Sequence, residues 1–224
     1  MSIKKQLVEI KNTIPKEVTL VAVSKTKPDE DLIQAYETGQ RIFGENKVQE
    51  LAGKFERLPK DIQWHMIGHL QSNKVKYIAP FVSLIHAVDS VKLLKEINKQ
   101  AKNNNRIIDC LLQLHIAEEE NKFGFSTEEI FQVVEEIKDK DWRNIRIVGL
   151  MGMATFTDDL EQIRREFKDL KLNFEQVKTT LFQEYQDFKH ISMGMSGDYK
   201  IAIEEGSTMV RVGSSIFGAR NYSI

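Results

Sequence analysis

Cysteine is almost missing from this chain. A single one, Cys110, excludes an intrachain disulfide and favours a reducing, cytoplasmic setting. Proline (4 residues) and glycine (12) are few and spread out, so no Pro/Gly/Ser-rich linker or low-complexity segment divides the sequence. No apolar run approaches the roughly 18 residues of a membrane span. The opening "MSIKKQLVEIKNTIP" is amphipathic without an apolar central stretch, so neither a secretory signal nor a membrane anchor is expected. Neither sign of charge prevails: 32 basic residues face 33 acidic ones, for a formal net charge of −1. That balance gives no electrostatic case for nucleic acid or an anionic membrane as partner. What is present is 224 residues, enough to bury a core without a disulfide or structural metal, read as one domain over 1–224.

Eight short apolar runs punctuate the chain: "VTLVAVS" (18–24), "RIFG" (41–44), "IQWHMIG" (62–68), "FVSLIHAVD" (81–89), "IIDCLLQLHIA" (107–117), "IRIVGLMGM" (145–153), "FKHISMGM" (188–195) and "TMVRVG" (208–213). Helical periodicity fills the intervals. Leu160, Ile163, Phe167, Leu170, Phe174, Val177 and Leu181 mark one face of a long helix, with Thr157 as its expected N-cap. Ser126 with Glu129, and Asn46 with Gln49, read as capping boxes. Eight strands alternating with helices predict an α/β fold, a single (β/α)8 TIM-type barrel whose working face lies at the strand C-termini. A doubly wound sheet would want a glycine-rich turn after the first strand, where serine and lysine stand instead.

The strand ends carry the chemistry. Strand one delivers Ser24 and Lys25, and strand two runs into "FGEN" with Asn46. Strand seven ends in "SMGMSGD" with Ser192 and Ser196, and strand eight in "VRVGSSIFG" with Arg211, Gly213 and Ser214. Barrels of this kind commonly bind phosphate between the loops after strands seven and eight. Serine hydroxyls and backbone N–H groups there suit a dianion; one such loop alone reads more readily as caps and turns, and it is the two together, at the two expected strands, that bring a phosphate site level with that reading. A lysine in a partly apolar mouth has a destabilised ammonium, so more free amine is available to attack a carbonyl. A Schiff-base lysine beside a phosphate site describes a pocket for pyridoxal 5'-phosphate. Arg211 could then donate to the pyridine nitrogen without giving up its own proton, leaving the ring a weak electron sink.

Taken in order, "LVAVSKTKP", "FGENKVQE", "WHMIGHLQSNK", "SMGMSGD" and "GSTMVRVGSSIFG" resemble the YggS/PROSC family of pyridoxal phosphate homeostasis proteins, which look like the N-terminal barrel of alanine racemase standing alone. The resemblance runs from about residue 18 to 218. It implies that Lys25 is the cofactor lysine, that Ser196, Gly213 and Ser214 contact the phosphate, that Arg211 faces the pyridine nitrogen, and that Asn46 and Ser192 line the pocket. It further implies a carrier or regulator of the cofactor pool acting toward apo-enzymes, without established turnover, and favours a monomer. Two stretches depart from the commonest family wording, "LHIAEEENKFGF" and "GLMGMATFTDD"; Lys122 and Gly124 in the first still match.

Three rivals stand beside this reading. A racemase needs acid/base groups on both faces of the substrate carbon. The family's racemases supply the second from a tyrosine of a partner's further domain, and none of Tyr36, Tyr77, Tyr185, Tyr199 and Tyr222 is an obvious substitute in a sequence that ends after its eighth strand. A metal-dependent hydrolase could use His65, His86, His115 and His190, although strand histidines are more often hydrogen-bonded core residues. The charged helix faces and Met151, Met153, Met193 and Met195 could serve partner binding, but read more simply as solvated surface and barrel packing.

Overall fold

The structure, a computed structural model, describes residues 2–117, 123–139 and 142–219. Strands and helices alternate along the chain: α1 (Ile3–Asn12), β1 (Thr19–Val23), α2 (Asp29–Glu37), β2 (Ile42–Glu45), α3 (Val48–Arg57), β3 (Gln63–Met66), α4 (Val75–Ile78), β4 (Leu84–Val88), α5 (Val91–Asn103), β5 (Ile108–Gln113), α6 (Thr127–Asp139), β6 (Ile145–Met151), α7 (Leu160–Leu181), β7 (His190–Ser192), α8 (Tyr199–Glu204), β8 (Met209–Val212) and α9 (Ser214–Phe217). Neighbouring strands pair in parallel, and β8 returns to β1 with Thr19 opposite Met209 and Ala22 opposite Val212, closing an eight-stranded barrel. All eight runs seen in the sequence are strands, in the expected order. Among the described residues no helix is long and apolar enough to cross a membrane.

Closure divides each strand by parity. Leu20 and Ala22 of β1, Phe43 of β2 and Val210 and Val212 of β8 face the helix layer and join the larger core with Leu32, Leu51 and Phe167. Val21, Leu84, Leu111, Val148, Met151 and Met209 fill the interior of the barrel as a second, smaller cluster. Continuing the β1 alternation beyond Val23 puts Ser24 on the helix side and brings Lys25 to the interior side of the mouth.

Two helix starts differ from expectation. The N-cap of α7 is Asp159, whose Oδ1 accepts from the N–H groups of Glu161 and Gln162 at 3.0 and 3.1 Å, while Thr157 accepts only from Asp159 N–H. An ionised carboxylate is the stronger acceptor and suits the positive end of the helix dipole, so it displaces the hydroxyl two residues earlier. Leu160 consequently stands in the first turn and is exposed, outside the buried stripe from Ile163 to Val177. The expected box of Asn46 with Gln49 is not made: β2 continues to Glu45 and α3 begins only at Val48, with Lys47 at its N-cap and no side-chain cap bond. The Ser126–Glu129 box is formed, Ser126 N–H donating to Glu129 Oε2 at 2.7 Å and Glu129 N–H to Ser126 Oγ at 3.2 Å.

Candidate functional site

The barrel mouth gathers the residues singled out in the sequence. Lys25 is half-buried just past β1. The loops after β7 and β8 meet directly, Gly213 N–H donating to Ser196 Oγ at 3.1 Å. A side chain at position 213 would put its Cβ 3.1 Å from both the Cβ and the carbonyl oxygen of Val23, so glycine lets the β8 loop lie this close to the end of β1 without the strand having to give. Ser214 opens α9 and is exposed; Asn46 is half-buried in the turn after β2, its backbone packed so tightly on Gly68 that a Cβ there would stand 2.6 Å from the Asn46 carbonyl oxygen.

Arg211 lies inside the barrel, 4% exposed. One terminal nitrogen donates to the Ser192 carbonyl at 2.9 Å and to Ser192 Oγ at 2.6 Å, the other to the Gly152 carbonyl at 3.1 Å. Burial lowers its pKa to about 10, which leaves it cationic near neutral pH. Ser192, expected as a pocket lining, is fully buried and spends its hydroxyl beneath the mouth: it receives from Arg211 and meets His86 Nδ1 at 2.9 Å. His86 Nε2 in turn meets His65 Nδ1 at 3.0 Å. A guanidinium only donates, so Ser192 Oγ accepts from Arg211 and keeps its own proton free to give to His86 Nδ1, the tautomer in which His86 Nε2 donates to His65. Both imidazoles are neutral, burial lowering His65 to about 3 and His86 well below its ordinary value. The sequence offered the two histidines as core residues or metal ligands; their hydrogen-bonded link to Arg211 through Ser192 depends on strands three, four, seven and eight meeting inside the barrel.

Of the four histidines weighed as metal ligands, His65 and His86 hydrogen-bond each other and His190 lies near enough to act on the charge of both, but among the described residues no group of three or more metal-type ligands forms. Met151 and Met193 are packing residues as expected, whereas Met195 is exposed at 39% beside the β7 loop. A second polar cluster, unmarked in the sequence reading, sits on the helix side of β1 and β2. Glu45, fully buried, accepts from Ser24 Oγ at 2.6 Å and from Lys54 Nζ at 2.8 Å. Its other oxygen, Oε2, is buried without a hydrogen-bond partner among the described residues. Burial outweighs the pull of Lys54 and raises the Glu45 carboxyl to about 7. A carboxylate at helix-facing parity in a buried strand was the available signal. At the rim, His69 bonds Asp89 at 2.9 Å and stacks on Phe123 with ring centroids 4.4 Å apart. Lys122 lies outside the described residues; Gly124, beside it, has a φ of 139°.

Comparison with known proteins places this barrel. A family model described as "Alanine racemase, N-terminal domain" matches residues 1–221. The pyridoxal phosphate homeostasis protein of Aquifex aeolicus is 39% identical over 208 residues, covering 91% of this chain and 87% of that protein. The chain belongs to that homeostasis family, on the alanine racemase N-terminal barrel. A human homeostasis-family relative is 41% identical over 213 residues, 91% of this chain and 77% of its own length. Among solved structures, PipY of Synechococcus elongatus PCC7942 without PLP superposes with a TM-score of 0.90 at 31% identity, over 96% of this chain and 100% of that one. The same protein with PLP bound gives 0.86 at 30%, with the same coverage. The likeness to alanine racemase of Clostridium difficile 630, 15% identical with a TM-score of 0.75 over 99% of this chain and 57% of that one, shows the shared fold.

Proposed function

We propose that this protein, as a single barrel domain, binds pyridoxal 5'-phosphate through a Schiff base on Lys25 and serves intracellular homeostasis of that cofactor rather than turnover. The observation that carries the reading is one mouth holding a half-buried lysine after β1, a buried arginine on β8, and a serine–glycine pair joining the β7 and β8 loops at 3.1 Å. The residues fit the group: the Ser196 hydroxyl and the backbone N–H groups at the start of α9 lie on two adjoining loops, and such donors suit a dianion. The relatives' shared name and the PLP-bound PipY structure support the same conclusion.

When bound, the cofactor supplies an aldehyde that an amine can condense with, forming C=N and releasing water, and a pyridine ring that can accept electrons. Everything else falls to the protein. Lys25 contributes the amine, while Ser196, Gly213 and Ser214 hold the phosphate and Asn46 lines the wall. Among the described residues, three of the five N–H groups of Arg211 are used, on Ser192 and Gly152, and the remaining two suit the ring nitrogen. A cation that only donates keeps that nitrogen unprotonated and the ring a poor electron sink, which favours holding and delivery to apo-enzymes over carbanion chemistry. Of the tyrosines weighed for the racemase alternative, Tyr36 is bonded to Asp61 and Tyr199 to Thr13, while Tyr222 lies outside the described residues.

Borohydride reduction of the protein incubated with pyridoxal 5'-phosphate is expected to fix one pyridoxyl group on Lys25. Peptide mapping that finds it on Lys27 or Lys74 instead overturns the assignment. Lys27 is the sharper control, because its Nζ already donates to the carbonyls of Phe217 and Ala219 at 2.8 and 2.9 Å. Ser196→Ala is expected to weaken pyridoxal 5'-phosphate binding by roughly ten- to a hundredfold, the worth of a hydrogen bond to a charged group, and to leave unphosphorylated pyridoxal unchanged. Equal losses for the two ligands, read by absorbance titration, would show that these loops do not hold the phosphate.

A further inference from the structure

The peptide units flanking Lys25 are tied down by α3. Lys54 Nζ donates to the Ser24 carbonyl at 2.7 Å, and Glu50 Oε1 accepts from Thr26 N–H at 2.6 Å. Glu50 and Lys54, four residues apart on one helix face, also bond each other at 2.7 Å. The third donor of the Lys54 ammonium goes to Glu45 at 2.8 Å, so all three of its N–H groups are spent within this cluster. Lys54 is 2% exposed and Glu45 fully buried, which makes the anchor rigid. Between the two tethers the chain is in an unfavourable conformation: Thr26 has a φ of 63°, a left-handed region that β-branched residues avoid, and it needs outside bonds to persist. Nothing in this cluster lies inside the barrel, since Ser24 and Glu45 have helix-facing parity.

We propose that Glu50 and Lys54, anchored by Glu45, form a clamp that fixes the backbone on both sides of Lys25 and so positions its amine at the mouth. The three are positioning residues, acting through the backbone of residues 24–26 rather than by touching the ligand. This rests on the binding mode proposed above. The clamp explains why a buried ion pair stands on the outer face of a barrel at the one strand end that delivers the lysine. A covalent anchor needs its amine in one place, whereas a phosphate held by the β7 and β8 loops does not depend on α3.

The test compares two ligands that differ at the reacting carbon. Pyridoxal 5'-phosphate has an aldehyde that Lys25 can attack; pyridoxamine 5'-phosphate carries an amine there and cannot condense. In Glu50→Ala the Thr26 amide is expected to lose its protection from hydrogen exchange in the ligand-free protein. The dissociation constant for pyridoxal 5'-phosphate is expected to rise about tenfold while that for pyridoxamine 5'-phosphate stays within about twofold. Lys54→Met alone would strand a buried carboxylate, so it is made together with Glu45→Gln, and the same split between ligands is expected. Equal weakening of both ligands would mean that the cluster only supports the fold, and unchanged binding of the aldehyde would mean that it positions nothing; either overturns the clamp. A wild-type protein that borohydride does not label on Lys25 overturns the binding mode itself, whereas a labelled wild type with insensitive variants overturns the clamp alone.

Discussion

Gly149→Ala is expected to cost the protein its fold under conditions where the wild type is native. Strand β6 pairs with β5 through Cys110 opposite Ile147 and then Leu111 opposite Gly149, so Val148 is an extra residue and the strand bulges. The bulge leaves Gly149 at a φ of 155° and presses it against β7, where it pairs with His190. A Cβ on Gly149 would stand 1.8 Å from the His190 carbonyl oxygen and 2.7 Å from its carbon. Overpacking a core costs about 1–3 kcal/mol when side chains can give way. Here the obstacle is backbone, β7 has only three residues to adjust with, and relief requires opening the barrel between β6 and β7. A loss above about 3 kcal/mol is therefore expected, a large share of the ~5–15 kcal/mol that holds a domain together. Gly152→Ala is the control: its Cβ would meet side-chain ends of Ile116 and Leu170 at 2.8 Å, which can move. Urea unfolding followed by circular dichroism should separate the two, and a Gly149→Ala protein within about 1 kcal/mol of wild type would show that the bulge is not rigid.

Acid is expected to destabilise the protein steeply, with greatest stability at neutral pH or slightly above. His65 falls to about 3 and His86 well below its ordinary 6.5 because burial disfavours the imidazolium, and His190 is lowered in the same sense. Between pH 3 and 6.5 the unfolded chain thus binds more protons than the folded one, and stability rises with pH by up to about 1.4 kcal/mol per pH unit for each buried imidazole. Glu45 works in the opposite direction. Its carboxyl is raised from 4.5 to about 7, so the stability linked to its neutral form is complete below 4.5 and is lost as pH rises through 7. Below 6.5 the histidines outnumber it; above 6.5 their waning titration in the unfolded chain is offset by the Glu45 decline, which flattens the curve around neutral pH. His65→Asn keeps an acceptor near the Nδ1 position for His86, and is expected to lower the acid-side slope by about one proton whatever it costs overall. Denaturation midpoints from pH 4.5 to 8 would read both slopes, and an unchanged slope in His65→Asn would show that His65 does not remain neutral.

The buried imidazoles also mark the limit of what could be read from residues alone. Strand existence was legible because parallel strands covered on both faces are continuous apolar runs, and their alternation with helical stripes left a barrel as the economical closure. Cap positions were legible only in part: Ser126 and Glu129 meet as a local motif should, whereas Asp159 displaced Thr157 and α3 begins only at Val48, past the cap expected at Asn46. Met195 looked like packing, but the β7 loop turns it outward.

By itself the sequence determined the eight strands, their order, and the placing of Lys25, Ser196, Arg211 and Gly213 at strand ends. Those follow from periodicity and from chain position, which are local. Tertiary structure alone decided that Ser192 is bonded to Arg211, that His86 and His65 extend that bond, and that Glu50 and Lys54 grip the backbone around Lys25. Each of those contacts joins residues from different strands or helices. Which ones meet depends on the register and parity with which β8 closes onto β1, and no spacing within a single segment encodes that.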